Sequence, residues 1–441
     1  MDIAAAQALI RFGLGPRLGE AAPADPRAWL AGQLDGPDPG RADPQPSTAD
    51  GLRAIRTDRE NRPAPGQSVS RQVYRADAAA ALAGAVNAAA PFRERLVWFW
   101  TNHFTVSLRR AECAALMGAF IAEAIRPHVT GRFQDMLLAV MRHPAMLLYL
   151  DNAQSVGPAS RAGQRSGRGL NENLARECLE LHTVTEAARY TQADVTSFAA
   201  LLTGWSVDIK AEPPGFRFRP AAHEPGGKTL LGRDFPEGEA GGAAALGFLG
   251  THPATYRALA TALARHFVAD EPPPAAVRPI EAALRDSGGD LGAAARALIR
   301  LDAAWKPHAK LRAPTDFVVA TLRATGLPAD KWPDLIGVVG GLGQPIWQAP
   351  LPNGWPDRAA DWASPDAMLR RIDWAHGFAG RADLAGRAGL AGRDGPLDPA
   401  EVAEAALGPL LPEPTLLAIR RAGSRRDGLT LLLASPQFQR R

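Results

Sequence analysis

The sequence predicts a mainly α protein: a single large helical domain with one small β-hairpin and long Pro- and Trp-rich loops. Three observations carry this. Apolar side chains recur at three- and four-residue spacing in nearly every patterned segment. Pro, Ser, Thr and Asp stand just ahead of those segments, where helices begin. Strand-like alternation is confined to residues 216–231, around Phe216-Arg217-Phe218-Arg219. At 441 residues the chain can bury a large core, and 46% hydrophobic with 22% charged residues is a globular composition.

Residues 3–12 read as a short helix ended by Gly13 and Gly15, and residues 25–34 as a second with Pro26 in its first turn. Over 35–66 Pro, Gly, Asp and Arg dominate, which predicts mostly a surface arm. An alanine-rich helix follows over 68–89. Pro91 then opens FRERLVWFWTNHFTVS, in which Phe92, Leu96, Phe99, Trp100 and His103 share helical spacing, so His103 falls on the buried stripe. Such a histidine is either a core residue with its ring nitrogens bonded, or a metal ligand or base entering a site from an apolar wall. The expected organisation is one domain: 1–66 N-terminal helices and arm, 67–380 helical core, and 381–441 a linker (RADLAGRAGLAGRDG) with C-terminal helices.

The chemistry concentrates in GLNENLARECLELHT, residues 169–183, which packs Glu172, Glu177, Glu180 and His182 with Asn171, Asn173 and Arg176. At 100° per residue Leu174, Cys178 and Leu181 form a narrow apolar stripe, flanked by Asn173, Glu177 and Glu180 together. Two carboxylates three residues apart either hold a cation or push one another's pKa apart. The preceding SVGPASRAGQRSGRG carries Arg161, Arg165 and Arg168, with Asn171 as N-cap. A cationic glycine-rich loop at a helix start can receive an anion, although this one lacks phosphate-loop spacing and reads equally as a solvated lid. Thr191 and Asp194 have the spacing of a helix cap. His223 sits on a turn, AHEPGGK, where it either joins a site or is simply solvated. Trp332, Trp347, Trp355, Trp362 and Trp374 are strung through a Pro-rich region; they read as anchors onto the core ahead of a sugar-stacking groove.

Composition narrows the partners. The 50 basic against 46 acidic residues form no basic stripe interleaved with aromatics, so nucleic acid is not expected. Cys113 and Cys178 fall in apolar helical patterns as buried free thiols. Nothing reaches membrane-spanning length, and no basic leader with an apolar run opens the chain. As written it reads as soluble and cytoplasmic; a periplasmic setting requires a start codon placed further upstream.

Several of these passages together resemble one family. RLVWFWTNHFTVS, MLLYLDNAQSVGP, GLNENLARECLELHTV, YTQADV with LTGW, FRFRPAAHEPGGKTLLG, HPATYRALATALARHFVAD and GQPIWQAPLPNGWP are similar, in collinear order, to the bacterial family catalogued as domain of unknown function 1800. The resemblance attaches no secure activity. It implies an export leader, which this chain lacks, and a sulfatase-like protein as partner. Cys178 stands where the family usually has leucine, and VTEAARY replaces its glycine-containing turn, while Glu224 retains the acidic residue after the loop histidine.

The leading expectation is a metal-dependent enzyme, hydrolytic ahead of oxidative. A divalent zinc, manganese or iron would be held by His103, Glu177 and Glu180, with His182 or His223 completing the set. Glu177, Glu180 and His223 are the catalytic candidates. Arg161, Arg165, Arg168, Asn171 and Asn173 are the binding candidates for a small-molecule or polymer substrate. The competing expectation takes Glu172–Arg176 and Arg176–Glu180 as four-residue ion pairs in a structural or assembly protein. A weaker alternative is glycan binding through the tryptophans.

Overall fold

In the computed structural model, which describes residues 1–64, 66–329, 332, 334–387 and 396–441, helix starts follow capping chemistry. Asp2, Asp25, Ser47, Ser68, Ser160, Asp290 and Ser424 each accept a hydrogen bond from the backbone N–H three residues on. Each such cap is worth about 1 kcal/mol. Thr191 and Asp194 close a full capping box on the Gln192–Leu202 helix. Asp194 also accepts from Leu231 N at 2.7 Å, so its carboxylate is committed to structure.

The helices bury their apolar faces in two clusters. In the first, Phe92, Leu96 and Trp100 of the Pro91–His103 helix meet side chains of Phe133–Arg142, Gln192–Leu202, Pro253–Phe267 and Leu291–Arg300. The second joins Tyr74, Ala78 and Leu82 of Val69–Asn87 to Phe317 of Pro314–Thr325, Phe378 of Pro365–Arg387 and Leu432 of Arg425–Ala434. The C-terminal helices are thus an integral part of the second cluster. No helix among the described residues is long and apolar enough to cross a membrane.

The fold is mainly helical, and four local expectations need correction. Residues 35–66 are only partly an arm, because Thr48–Asn61 is a helix that buries Leu52 and Ile55. The Pro- and Gly-rich flanks hid its Ser47 cap and apolar spacing. The strand region holds two antiparallel hairpins rather than one: β1 (Trp205–Asp208) pairs with β2 (Gly215–Phe218), and β3 (Lys228–Leu230) with β4 (Arg233–Phe235). The Arg-rich loop contains the short Arg161–Ser166 helix. The expected linker over 381–395 is helical as far as Arg387, and 388–395 lie outside the described residues.

A buried carboxylate locks the two clusters together. Asp316, at the start of Pro314–Thr325, accepts from Arg95 Nη2 at 3.0 Å and Nη1 at 3.2 Å, and Arg441 Nε lies 3.1 Å from its Oδ2. Arg95 Nε also donates to the Gly13 carbonyl at 2.7 Å, tying in the N-terminal segment. Arg441 is held by main-chain bonds to Lys310, N to O at 2.8 Å and O from N at 3.1 Å. Burial alone would raise the Asp316 carboxyl, but Arg95, Arg441 and Arg312 outweigh it and hold it at about 2.

Breaking one partner of a buried charge cluster strands the others. Asp316→Asn is therefore expected to lower unfolding stability by about 3 kcal/mol in urea titrations. Because the folded pKa lies below that of the unfolded chain, the contribution is complete above about pH 4 and is lost as pH falls toward 2. The parent should lose stability across that window more steeply than Asp316→Asn.

Candidate functional site

Where the two clusters meet, a cavity of about 590 Å³ opens beside the Pro91–His103 helix. That helix contributes Trp98, Phe99, Thr101, Asn102 and His103 to the wall. Ala262, Arg265 and His266 line it from Pro253–Phe267, at the three- and four-residue spacing that puts side chains on one helix face. Trp347, Trp355, Asp357 and Trp362 complete the wall, with the Asp316–Arg95–Arg441 cluster beneath.

The tryptophan loop is pinned in place. Asn102 Nδ2 donates to the Trp355 carbonyl at 2.9 Å, and its Oδ1 accepts from Trp355 N at 2.8 Å. Gly354 allows this approach. It sits at φ +77°, and a Cβ there would fall 2.5 Å from the Asn102 carbonyl oxygen. Lys310 Nζ donates to the Asp357 carbonyl at 2.5 Å, and Ala359 N to Asp270 Oδ2 at 2.7 Å. Trp362 uses its indole N–H on the Pro356 carbonyl at 2.9 Å, and its ring centroid lies 5.8 Å from that of Trp355.

This pinning presents Asp357 to His266. His266 Nδ1 lies 2.8 Å from Asp357 Oδ2, while Arg441 Nη2 stands 3.4 Å from Nε2. An N–H on Nδ1 directed at the carboxylate leaves the lone pair on Nε2. Burial lowers the His266 pKa to about 4, with Asp357 opposing the shift, so the ring is neutral at pH 7. Burial raises the Asp357 carboxyl, but His266, Lys310 and Arg441 more than reverse it and keep it ionised, well below the usual carboxylate range. A neutral histidine oriented by a carboxylate in a cavity wall is the arrangement of a general base.

The residues expected from sequence lie largely elsewhere. Among the described residues no group of three or more His, Cys, Asp or Glu side chains is arranged to hold a metal ion, so His103, Glu177, Glu180 and His182 do not come together as ligands. His103 does reach the cavity wall, but its Nε2 faces the His182 carbonyl at 3.1 Å, and burial drives its pKa to about 4. His182 is fully buried, with neither ring nitrogen hydrogen-bonded. Burial, then His103, holds its pKa well below the ordinary value. Glu180 is exposed; Glu177 is half-buried, and burial followed by the Glu180 charge raises its pKa. Glu177 therefore senses the Glu180 charge, but the helix changes from α over Asn173–Glu177 to π over Cys178–His182, which shifts the phase of the face.

His223 is buried with both ring nitrogens used: Nδ1 lies 2.8 Å from the Thr203 carbonyl, and Nε2 accepts from Gly238 N at 2.9 Å. It braces the strand region, contrary to its expected catalytic part. Arg161, Arg165 and Arg168 are exposed. Asn171 is not the N-cap expected: its Oδ1 accepts from Asn173 N at 2.9 Å, but the cap position is Glu172, which makes no side-chain cap bond, and the Asn173 side chain is exposed. Glu172 accepts from Arg176 and Gln192, both at 2.8 Å, and from Thr196 at 2.6 Å, so of the two ion pairs expected as the alternative Glu172–Arg176 forms, while no Arg176–Glu180 pair is found among the described residues. Trp332 and Trp374 act as anchors on Phe378, with ring centroids 4.5 and 5.2 Å away.

Sequence reasoning missed His266, Asp357, Arg265 and Arg441. His266 stood beside an apolar stripe, and Asp357 followed Trp355 and Pro356 in the loop read as an anchor. A carboxylate in a tryptophan loop was the available signal. Comparison with curated proteins and with solved structures finds no match to this chain. The family described as Protein of unknown function (DUF1800) matches residues 7–440. With nearly the whole length aligned, the chain belongs to the DUF1800 family.

Proposed function

We propose that this protein is a hydrolytic enzyme whose site is the tryptophan-lined cavity, with His266 as the base, Asp357 as its positioning partner and water as the nucleophile. The observation that carries this reading is the 2.8 Å His266–Asp357 pair in the wall of a 590 Å³ cavity. In the first step His266 Nε2 takes a proton from water as the water oxygen bonds to the electrophilic centre of an ester. The ester bond to the leaving oxygen then breaks, and that oxygen takes its electron pair and recovers the proton from the imidazolium. Arg441, with Nη2 3.4 Å from Nε2, opposes a proton there and so helps to keep the resting ring neutral. A divalent metal on the Asn173–His182 segment finds no support in the side-chain placement, and the proposed step uses none.

A second reading has its own support. The Glu172–Arg176–Gln192–Thr196 network suits an ion-pair scaffold fastening one helix to the next, and such a scaffold accompanies an enzyme as readily as an assembly protein.

Hydrolysis is tested with 4-nitrophenyl acetate, phosphate and sulfate. At least one should turn over, with His266→Gln slower by about 100-fold or more at a preserved melting temperature and Asp357→Asn slower by as much while also losing stability. Glu177→Gln and Glu180→Gln should stay within about threefold of the parent. Failure of all three esters, or full activity in His266→Gln, overturns the reading. The pH profile has a fixed sign. The base works when neutral, so kcat/KM should be level near pH 7 and fall on the acid side as His266 protonates near its pKa of about 4.

A further inference from the structure

Five arginines line the cavity: Arg95, Arg126, Arg265, Arg358 and Arg441. Four have carboxylate partners. Arg95 pairs with Asp316 at 3.0 Å, Arg126 with Glu94 at 2.8 Å, Arg358 with Glu271 at 3.0 Å and Arg441 with Asp316 at 3.1 Å. Arg265 alone has no ion pair among the described residues, and its Nε is buried without a hydrogen-bond partner. Thr101 Oγ1, also in the wall, is buried and unpartnered as well. Asp361, the acid of the lining with no ion pair among the described residues, is exposed, whereas Arg265 is half-buried and adjoins His266 on the same helix.

A guanidinium that lacks a carboxylate in a partly desolvated wall gains most from a ligand oxyanion, which it can bind through two parallel N–H bonds. The indoles of Trp355 and Trp362, tilted 46° to one another, supply aromatic surface to the same cavity. We infer that the cavity selects a substrate carrying an oxyanion on a ring-bearing group, with Arg265 as the residue that receives the anion. The inference rests on the cavity being the hydrolytic site, but its test does not need turnover. Carboxylate, phosphate and sulfate share the chemistry that Arg265 recognises, and separate ligands tell them apart.

Calorimetric titration of the full chain with benzoate, phenyl phosphate and phenyl sulfate, each beside the neutral isostere benzamide, is the test. At least one charged ligand should bind about tenfold or more tightly than benzamide. Arg265→Gln should reduce the charged ligand to the benzamide level without changing benzamide itself, and Arg265→Lys should recover part of the difference. Arg265 makes no ion pair, so its variants should melt within a few degrees of the parent. Equal binding of charged and neutral ligands, charged binding unchanged in Arg265→Gln, or no binding of any ligand at about 10 mM overturns the inference. His266→Gln separates it from the hydrolytic reading. If that variant and the parent bind the anion while no ester turns over, hydrolysis falls and the anion site stands. If esters turn over but Arg265→Gln leaves charge discrimination intact, the anion site falls and hydrolysis stands.

Discussion

The buried Asp316 carboxylate is the constraint on which the arrangement turns. It collects Arg95 from the helix that walls the cavity and Arg441 from a segment hydrogen-bonded to Lys310. Both guanidiniums have been taken out of water, and a partnerless charge there would cost several kcal/mol. The two hydrophobic clusters are consequently held in one register. Arg441 carries that register onward to His266, and Lys310 carries it to the Asp357 carbonyl. The cavity is thus shaped by ionic bonds beneath it rather than by the tryptophans that face it.

A rigid floor explains how a loop as irregular as residues 347–362 can hold functional groups in place. Asn102, Lys310 and Asp270 fix its backbone at Trp355, Asp357 and Ala359. Trp347 sits at φ 56°, a conformation that costs a non-glycine residue energy and persists only where the surroundings impose it. Positioning of this kind lets one carboxylate set the tautomer of one histidine, since neither partner is free to turn away.

Much of the architecture was legible in the sequence because it depends on local chemistry. The cap at Thr191, the stripe from Phe92 to Trp100 and the punctuation at Pro91 each act within a few residues. The site was not legible, because its partners lie far apart: His266 and Asp357 are 91 residues from each other, and His266 and Arg441 are 175. Glu177 and Glu180 drew attention for the opposite reason, being close in sequence and alike in charge. Their shared flank assumed an ideal helix, and the π turn over Cys178–His182 left Glu180 in solvent. His103 was placed correctly on the apolar stripe, but no pattern could foretell that its Nε2 faces a carbonyl. Trp355 and Trp362 differ from Trp332 and Trp374 only in what folds around them.

The central claim is that burial keeps His266 neutral while Asp357 fixes its proton on Nδ1 and leaves a lone pair on Nε2. Long-range nitrogen–proton correlation spectra of the imidazole side chains at pH 7 read this directly, with His266→Gln assigning the signal. The account predicts a protonated Nδ1 and an unprotonated Nε2 for His266, persisting until the pH approaches the pKa of about 4. A proton on Nε2 at pH 7, or titration near the ordinary histidine value of about 6.5, would contradict it.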